Sequence, residues 1–313
     1  MKQNNKLSTN FVDNLVKNSQ LKGWGIAKPD LPLVWKKWFK KWLQQEHYAE
    51  MDWITRGVEQ RLNIKQRFPW CKSVLVVADN YYSSNSFKPR APYISKYSWG
   101  ENYHQIVSQK LESLLANIKR KYPDLRSKTY VDTGPILERA YAVESGLGWM
   151  GKNSMVFVEG IGSYCFLGVA LLNLKAEQYG KPLKSKCDRC TKCIQNCPTG
   201  ALEAPFQHNS NKCLSYLTIE KKGDFNSKEK SLINDHLYGC DTCLDVCPYN
   251  HKHAQQTTDE RYYCNFEFLD KSISEWEQVS KKEFQKNLSD TVFERLSYKR
   301  FQRNLQTVKN NRN

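Results

Sequence analysis

The sequence predicts a mixed α/β N-terminal domain joined to a small cysteine-rich domain, and three observations predict it. A valine-rich apolar run at residues 73–78 precedes a long stretch of helical periodicity. A second strand-then-helix succession follows at 128–146, and eight of the eleven cysteines crowd between Cys187 and Cys247. With 313 residues and 40% apolar side chains, the chain is long enough for one large domain plus a smaller one.

Residues 33–43 place Trp35, Trp38, Phe39 and Trp42 at i, i+3, i+4, i+7 spacing with lysines between, which predicts a helix presenting its aromatic face to the core. The same pattern also suits a helix on a membrane surface or against RNA. Residues 73–78 (Ser-Val-Leu-Val-Val-Ala) read as a strand buried on both faces. Tyr103, Ile106, Val107, Leu111, Leu114, Leu115 and Ile118 then recur at helical spacing, so 102–121 is expected to be a helix. A strand near 128–131 leads into Asp132-Thr133-Gly134-Pro135 and a helix running towards Gly146, and strand-to-helix turns often carry active-site residues. From Met155 to Leu174 two apolar runs flank Gly160-Ile161-Gly162, predicting a strand pair joined at a glycine turn.

After Gly180-Lys181-Pro182 the composition shifts to cysteine, lysine and polar residues, which places a boundary near 178. The expected division is 1–178, 179–255 and a short basic segment at 256–313. Beyond Glu294 the chain carries Arg295, Lys299, Arg300, Arg303, Lys309 and Arg312 and no acid, reading as a basic tail.

The cysteines read Cys187-x2-Cys190-x2-Cys193-x3-Cys197-Pro198, then Cys213, then Cys240-x2-Cys243-x3-Cys247-Pro248. This is the pattern of bacterial ferredoxins that hold two [4Fe–4S] clusters, hence a ferredoxin-like domain. Closely spaced thiolates wrap one cluster, while the cysteine before proline begins a helix and reaches the other. One cluster then takes Cys187, Cys190, Cys193 and Cys247, and the second takes Cys240, Cys243, Cys197 and Cys213. Paired CxxC units also make zinc sites, but a third cysteine two residues on and the Cys-Pro ending argue against zinc. Cys71, Cys165 and Cys264 lie in apolar or aromatic surroundings and read as buried free thiols.

The formal charge is +16. Two oxidised clusters leave about +12, a balance that favours a polyanion such as nucleic acid or an anionic membrane surface, although solvated lysine faces also produce it. No run of eighteen uncharged apolar residues occurs, and Met1–Asn10 is polar without an apolar signal core or twin arginines. A cytoplasmic monomer that does not enter the membrane is expected.

Several longer motifs resemble the cobalamin-dependent epoxyqueuosine reductases of queuosine tRNA modification. They are Val131-Asp132-Thr133-Gly134-Pro135 with Glu138-Arg139-Ala140, Gly146-Leu147-Gly148-Trp149-Met150-Gly151-Lys152-Asn153, and Cys213-Leu214-Ser215-Tyr216-Leu217-Thr218-Ile219-Glu220. Tyr238-Gly239-Cys240-Asp241-Thr242-Cys243 and Cys247-Pro248-Tyr249-Asn250 continue the likeness, which runs from about residue 50 to 255. The resemblance implies an N-terminal domain holding base-off cobalamin beside the second cluster, and an electron donor that the sequence does not identify. It implies reduction of epoxyqueuosine to queuosine in a tRNA anticodon stem-loop, a step of two electrons, two protons and loss of water.

On that resemblance Asp132 is the proton donor, and Arg56, Asp132, Ser215, Cys240 and Asp241 are the cobalamin contacts. Acting near neutral pH would require burial of Asp132. Tyr97, Tyr103 and His104 match less closely, and His251 and His253 read as exposed. Two departures stand out: Val169 follows Phe166-Leu167-Gly168 where many relatives have an acid, and many relatives carry a longer helical segment after the ferredoxin part. The competing readings are a two-cluster electron carrier, a reductive dehalogenase, and a nucleic-acid repair protein with structural clusters. Cobalamin binding separates the first of these, an export signal and a less basic surface the second, and preference for DNA over tRNA the third.

Overall fold

The computed structural model describes residues 6–83, 92–264 and 266–312. The first five residues of the polar N-terminus lie outside the described residues.

Ser73–Asn80 is buried along its whole length, because an apolar strand of this kind is stable only between two covering layers. It pairs antiparallel with Gly23–Ala27 on one side and Cys165–Leu172 on the other, and Ser127–Tyr130 completes a four-stranded sheet. Leu75 and Val77 point to the layer containing Leu111, Leu114, Leu115 and Ile118. These belong to the long helix Tyr103–Lys121, close to the predicted 102–121. Val74, Val76 and Ala78 face the opposite layer with Ala140, Tyr141 and Ala142 of the helix Glu138–Glu144. The sheet is therefore sandwiched, and the loop 131–137 leaves its edge strand for the second helix.

The predicted pairing across Gly160-Ile161-Gly162 needs correcting. Val156–Val158 pairs with Gly148–Met150, whereas Cys165–Leu172 crosses into the large sheet. Gly160 and Gly162 both take positive φ (81° and 73°), so the chain turns sharply there and redirects. Cys165–Leu172 has apolar residues on both faces and goes where both are covered.

The core-facing expectation for residues 33–43 also needs correcting. The helix Leu33–Gln44 forms, but none of its residues is buried. Trp35 donates through Nε1 to Glu144 (2.7 Å), Trp42 donates to the His208 carbonyl (2.8 Å), and Trp38 stacks on Phe206 at 5.9 Å while staying 45% exposed. The indoles of Trp35 and Trp42 are anchored by their N–H groups and lie half-buried on the surface, as amphipathic rings do.

In the cysteine-rich part, Cys247 caps the helix Pro248–His253 as the spacing predicts. Cys197-Pro198 does not start a helix. It leads through Gly200, at φ 65°, into the hairpin Leu202–Ala204 and Gln207–His208. Cys213 caps the helix Leu214–Ile219 in its place.

Nor is the stretch beyond Glu294 a solvated tail: it folds into the helix Tyr298–Arg312, with Phe301, Asn304, Leu305, Thr307 and Val308 buried. Its basic residues act as anchors as well as surface charge, since Arg300 and Arg303 donate to main-chain carbonyls of 217–223. Trp276, Phe284, Phe293 and Phe301 share one apolar core with Leu237 and Tyr238 of the cysteine-rich part and with Tyr103, Ile106 and Phe166 of the sandwich. A buried polar junction reinforces it. Lys110 reaches Asp79 (2.5 Å) and Asp259 (2.8 Å), and Tyr262 donates to Asp79 (2.6 Å). Cys71 and Cys264 are buried and Cys165 half-buried, and desolvation pushes their thiols up to about 11, 12 and 12.

Candidate active site

Asp132 sits in the left-handed region (φ 55°) at the point where the sheet's edge strand ends. Non-glycine residues hold such a conformation only when their surroundings impose it. Two contacts impose it here. The Asp132 main-chain N–H donates to Glu138 Oε1 (2.8 Å), and Asp132 Oδ2 accepts from the Tyr103 hydroxyl (2.9 Å).

Tyr103 is itself fixed, stacking on Phe166 (4.0 Å) and on His104 (4.1 Å), whose Nδ1 lies 2.9 Å from the Val131 carbonyl. Burial first, and then the charge of Asp132, hold the Tyr103 hydroxyl far above its ordinary value, so it stays a donor. Glu138 is half-buried, and desolvation of its carboxyl followed by the charge of Asp132 pushes it up to about 8. Asp132 is exposed, so the burial that acting near neutral pH would require of it is not met in this structure.

Cationic and aromatic groups border the loop. Arg61 Nη1 donates to the Gly134 carbonyl (3.1 Å), and its buried Nε has no partner among the described residues. Arg61 and Arg295 both approach the ring of Trp53, at 5.8 and 5.7 Å. Arg295 pairs with Glu220 and feels the charge of Asp132. Arg56 is exposed two residues beyond the turn Asp52–Ile54. A row of rings, Tyr103, Tyr97 and Tyr238, spaced 6.4 and 6.1 Å apart, connects the Asp132 loop to Gly239 and Cys240.

The eight clustered thiols fall into two groups. Cys187, Cys190, Cys193 and Cys247 line one open cavity with Trp149, Lys152 and Tyr249. The Tyr249 hydroxyl at its wall is buried without a partner among the described residues, a donor suited to a sulfur acceptor. Among the described residues no group of three or more Cys, His, Asp or Glu suits a single metal ion. In the other group, burial raises the thiols of Cys213, Cys240 and Cys243; nearby Cys197 adds to the rise at Cys213 and Cys243, and Cys213 to that at Cys240.

The Ser215 hydroxyl and the main-chain N–H groups of Ser215 and Tyr216 face the Cys213 sulfur. The Asp241 carboxylate is spent inside the protein, accepting from Ser95 (2.5 Å), Tyr93 (3.0 Å) and the Lys96 N–H (2.7 Å). That leaves its main chain, not its side chain, for a cofactor. His251 is exposed as expected, whereas His253 is half-buried with its ring 4.2 Å from that of Tyr249.

Residues 186–250 match the family described as a 4Fe-4S double cluster binding domain, and residues 61–133 match "Epoxyqueuosine reductase QueG, DUF1730". The epoxyqueuosine reductase of Synechocystis is 39% identical over 224 residues, spanning 70% of this chain and 75% of that protein. The chain belongs to the epoxyqueuosine reductase family. It is thus an oxidoreductase carrying a double [4Fe–4S] binding domain. The Escherichia coli epoxyqueuosine reductase is 34% identical over 244 residues, covering 76% of this chain and 64% of its own.

Among solved epoxyqueuosine reductases, one bound to an epoxyqueuosine-modified tRNA-Tyr stem loop superposes with a TM-score of 0.86 at 28% identity. The match covers 96% of this chain and 80% of that one. The Bacillus subtilis epoxyqueuosine reductase, solved with a catalytic aspartate loop swung out of its active site, gives 0.84 at 27% identity, over 96% and 81%. Glu138, Arg61 and Trp53 are the site residues to which sequence reading gave no role, whereas Arg295 was read only as one charge of a basic tail. Glu138 alone left a signal, in the motif six residues after Asp132.

Proposed function

We propose that the chain reduces epoxyqueuosine to queuosine at the wobble position of tRNA anticodons, with Asp132 as proton donor. The observation that carries this reading is the Asp132 loop, pinned by Tyr103 and Glu138 and joined by a row of aromatic rings to one of two separate thiol groups. Cys187, Cys190, Cys193 and Cys247 hold one [4Fe–4S] cluster, and Cys197, Cys213, Cys240 and Cys243 hold the other. The cavity lining and the mutual influence of the thiols support that grouping.

Cobalamin is the third cofactor of this reading, and the site has groups that fit it. The orphaned Arg61 Nε and the exposed Arg56 offer donors to a phosphate-bearing tail, and Ser215, Cys240 and the Asp241 main chain border the second cluster. When bound, it supplies a strongly nucleophilic low-valent metal for opening the epoxide. The protein's own task is to hold the anticodon base against Asp132 and to deliver a proton to the departing oxygen. Tyr103 keeps the Asp132 carboxyl aimed, and Arg61 and Arg295 neutralise nearby phosphate. In this reading residues 1–178 hold cobalamin, 179–255 the clusters, and 256–313 brace both. Among the described residues no helix is long and apolar enough to cross a membrane, and the proposed setting is the cytoplasm, as a monomer.

The test is a single turnover. Anaerobically reconstituted protein with cobalamin and a reductant is mixed with a stem-loop bearing epoxyqueuosine, and the nucleosides are identified by mass. Formation of queuosine is expected; a stem-loop left unchanged by protein holding both clusters and cobalamin overturns the proposal.

A further inference from the structure

The helix Leu33–Gln44 presents a strip that neither the sandwich nor the Asp132 site uses. Val34, Lys37, Trp38 and Lys41 stand at i, i+3, i+4, i+7 spacing, and all four are exposed. None of the ion pairs among the described residues involves these lysines. Large apolar side chains left in water beside unpaired cations mark an interaction surface.

Its position tells what it serves. Trp38 stacks on Phe206, itself 37% exposed, and the Phe206 N–H donates to the Lys152 carbonyl (3.0 Å). Lys152 Nζ in turn donates to the carbonyls of Asp188 (2.6 Å) and Cys190 (2.9 Å). The strip is therefore continuous with the loop of the first thiol group, where Cys190 is exposed and Arg189 adds a further exposed cation. The Asp132 loop adjoins the other thiol group. One cluster thus faces the reaction and the other faces outwards beside an apolar, cationic patch.

We propose that Val34, Lys37, Trp38 and Lys41, with Phe206 and Arg189, dock an acidic one-electron carrier protein at the cluster of Cys187, Cys190, Cys193 and Cys247. The inference rests on the cluster assignment proposed above. Carboxylates of the carrier meet the lysines and steer its approach, while the Trp38–Phe206 pair gives it a flat apolar seat. Each encounter oxidises the carrier by one electron and reduces the cluster by one. Two encounters supply the two electrons that, with two protons, convert epoxide to alkene and water.

The test uses the reconstituted full chain and photoreduced flavodoxin as the acidic carrier, following cluster bleaching by stopped flow, with dithionite as the small reductant. Lys37→Glu with Lys41→Glu is expected to slow flavodoxin-driven bleaching about tenfold or more at low salt and to flatten its salt dependence, with dithionite bleaching unchanged. Trp38→Ala is expected to raise the flavodoxin concentration needed for half-maximal rate. Stem-loop affinity is expected to stay as in the parent. Unchanged flavodoxin rates in both variants overturn the proposal, and so does a selective loss of stem-loop affinity, which assigns the strip to RNA. Dithionite bleaching of the parent reports on the clusters independently, so a failure of the cluster assignment appears there and not in the carrier comparison.

Discussion

Asp132 is gripped at its main chain by Glu138 and at its carboxylate by Tyr103, so the chemistry of one residue depends on two others. Asp132→Asn keeps size and the contact with Tyr103 but removes the acidic proton. Single-turnover conversion should fall by about 10²–10⁴-fold with clusters, cobalamin and stem-loop binding retained, as measured by rapid quench. Glu138 makes a separate prediction. Its folded value of about 8 lies above the ordinary 4.5, so between those two pH values the folded state holds a proton that the unfolded state has lost. Stability contributed by this group is full below the lower value and declines as pH rises towards 8. Glu138→Gln, still able to accept the Asp132 N–H, should flatten that decline in denaturant titrations at pH 5 and pH 8. At this scale the cysteines stood out as candidates through their spacing, and Asp132 through the resemblance of its motif. Glu138 and Arg61 act through a left-handed turn and a cross-chain approach, and neither leaves a periodic trace.

The strand 73–80 and the helix 103–121 were legible because each is apolar in a pattern that only one environment satisfies. The tryptophan helix was legible as a helix and not in its placement. Spacing gives the face, but the indole N–H groups of Trp35 and Trp42 decide how deep the face sinks, and Glu144 and His208 hold it at the surface. The strand after Gly162 was misjudged because adjacency along the chain competes with the better burial of a distant sheet. Lys110 tests how the elements are tied together. It neutralises Asp79 and Asp259 where all three side chains are less than a tenth exposed. Lys110→Ala should therefore cost about 3–5 kcal/mol in chemical denaturation, because it strands the buried Asp79 carboxylate, whereas Asp259 keeps Arg261 (2.7 Å).

For the whole molecule, the net charge of +16 predicts stem-loop binding that weakens steeply with salt. Arg295 stands exposed at the mouth of the Asp132 site. Arg295→Gln should lower the slope of log affinity against log salt by about one. Removing residues 295–313 is a different experiment from trimming a charged tail. It deletes Phe301 and Leu305 from the shared core and should leave protein that no longer unfolds cooperatively. Reconstituted full-length protein should hold about eight iron atoms, and Cys197→Ser should damage the cluster of Cys240 and Cys243 more than that of Cys187 and Cys190.

The final helix also sets a schedule. Asn304 donates to the carbonyls of Thr218 (2.7 Å) and Leu237 (3.0 Å), and Arg303 to those of Leu217 and Lys221, all within the segments that carry Cys213 and Cys240. These segments leave the ribosome before the residues that hold them. The main chain around Cys213 and Cys240 therefore gains these four anchors only once the last turns of the chain have been released.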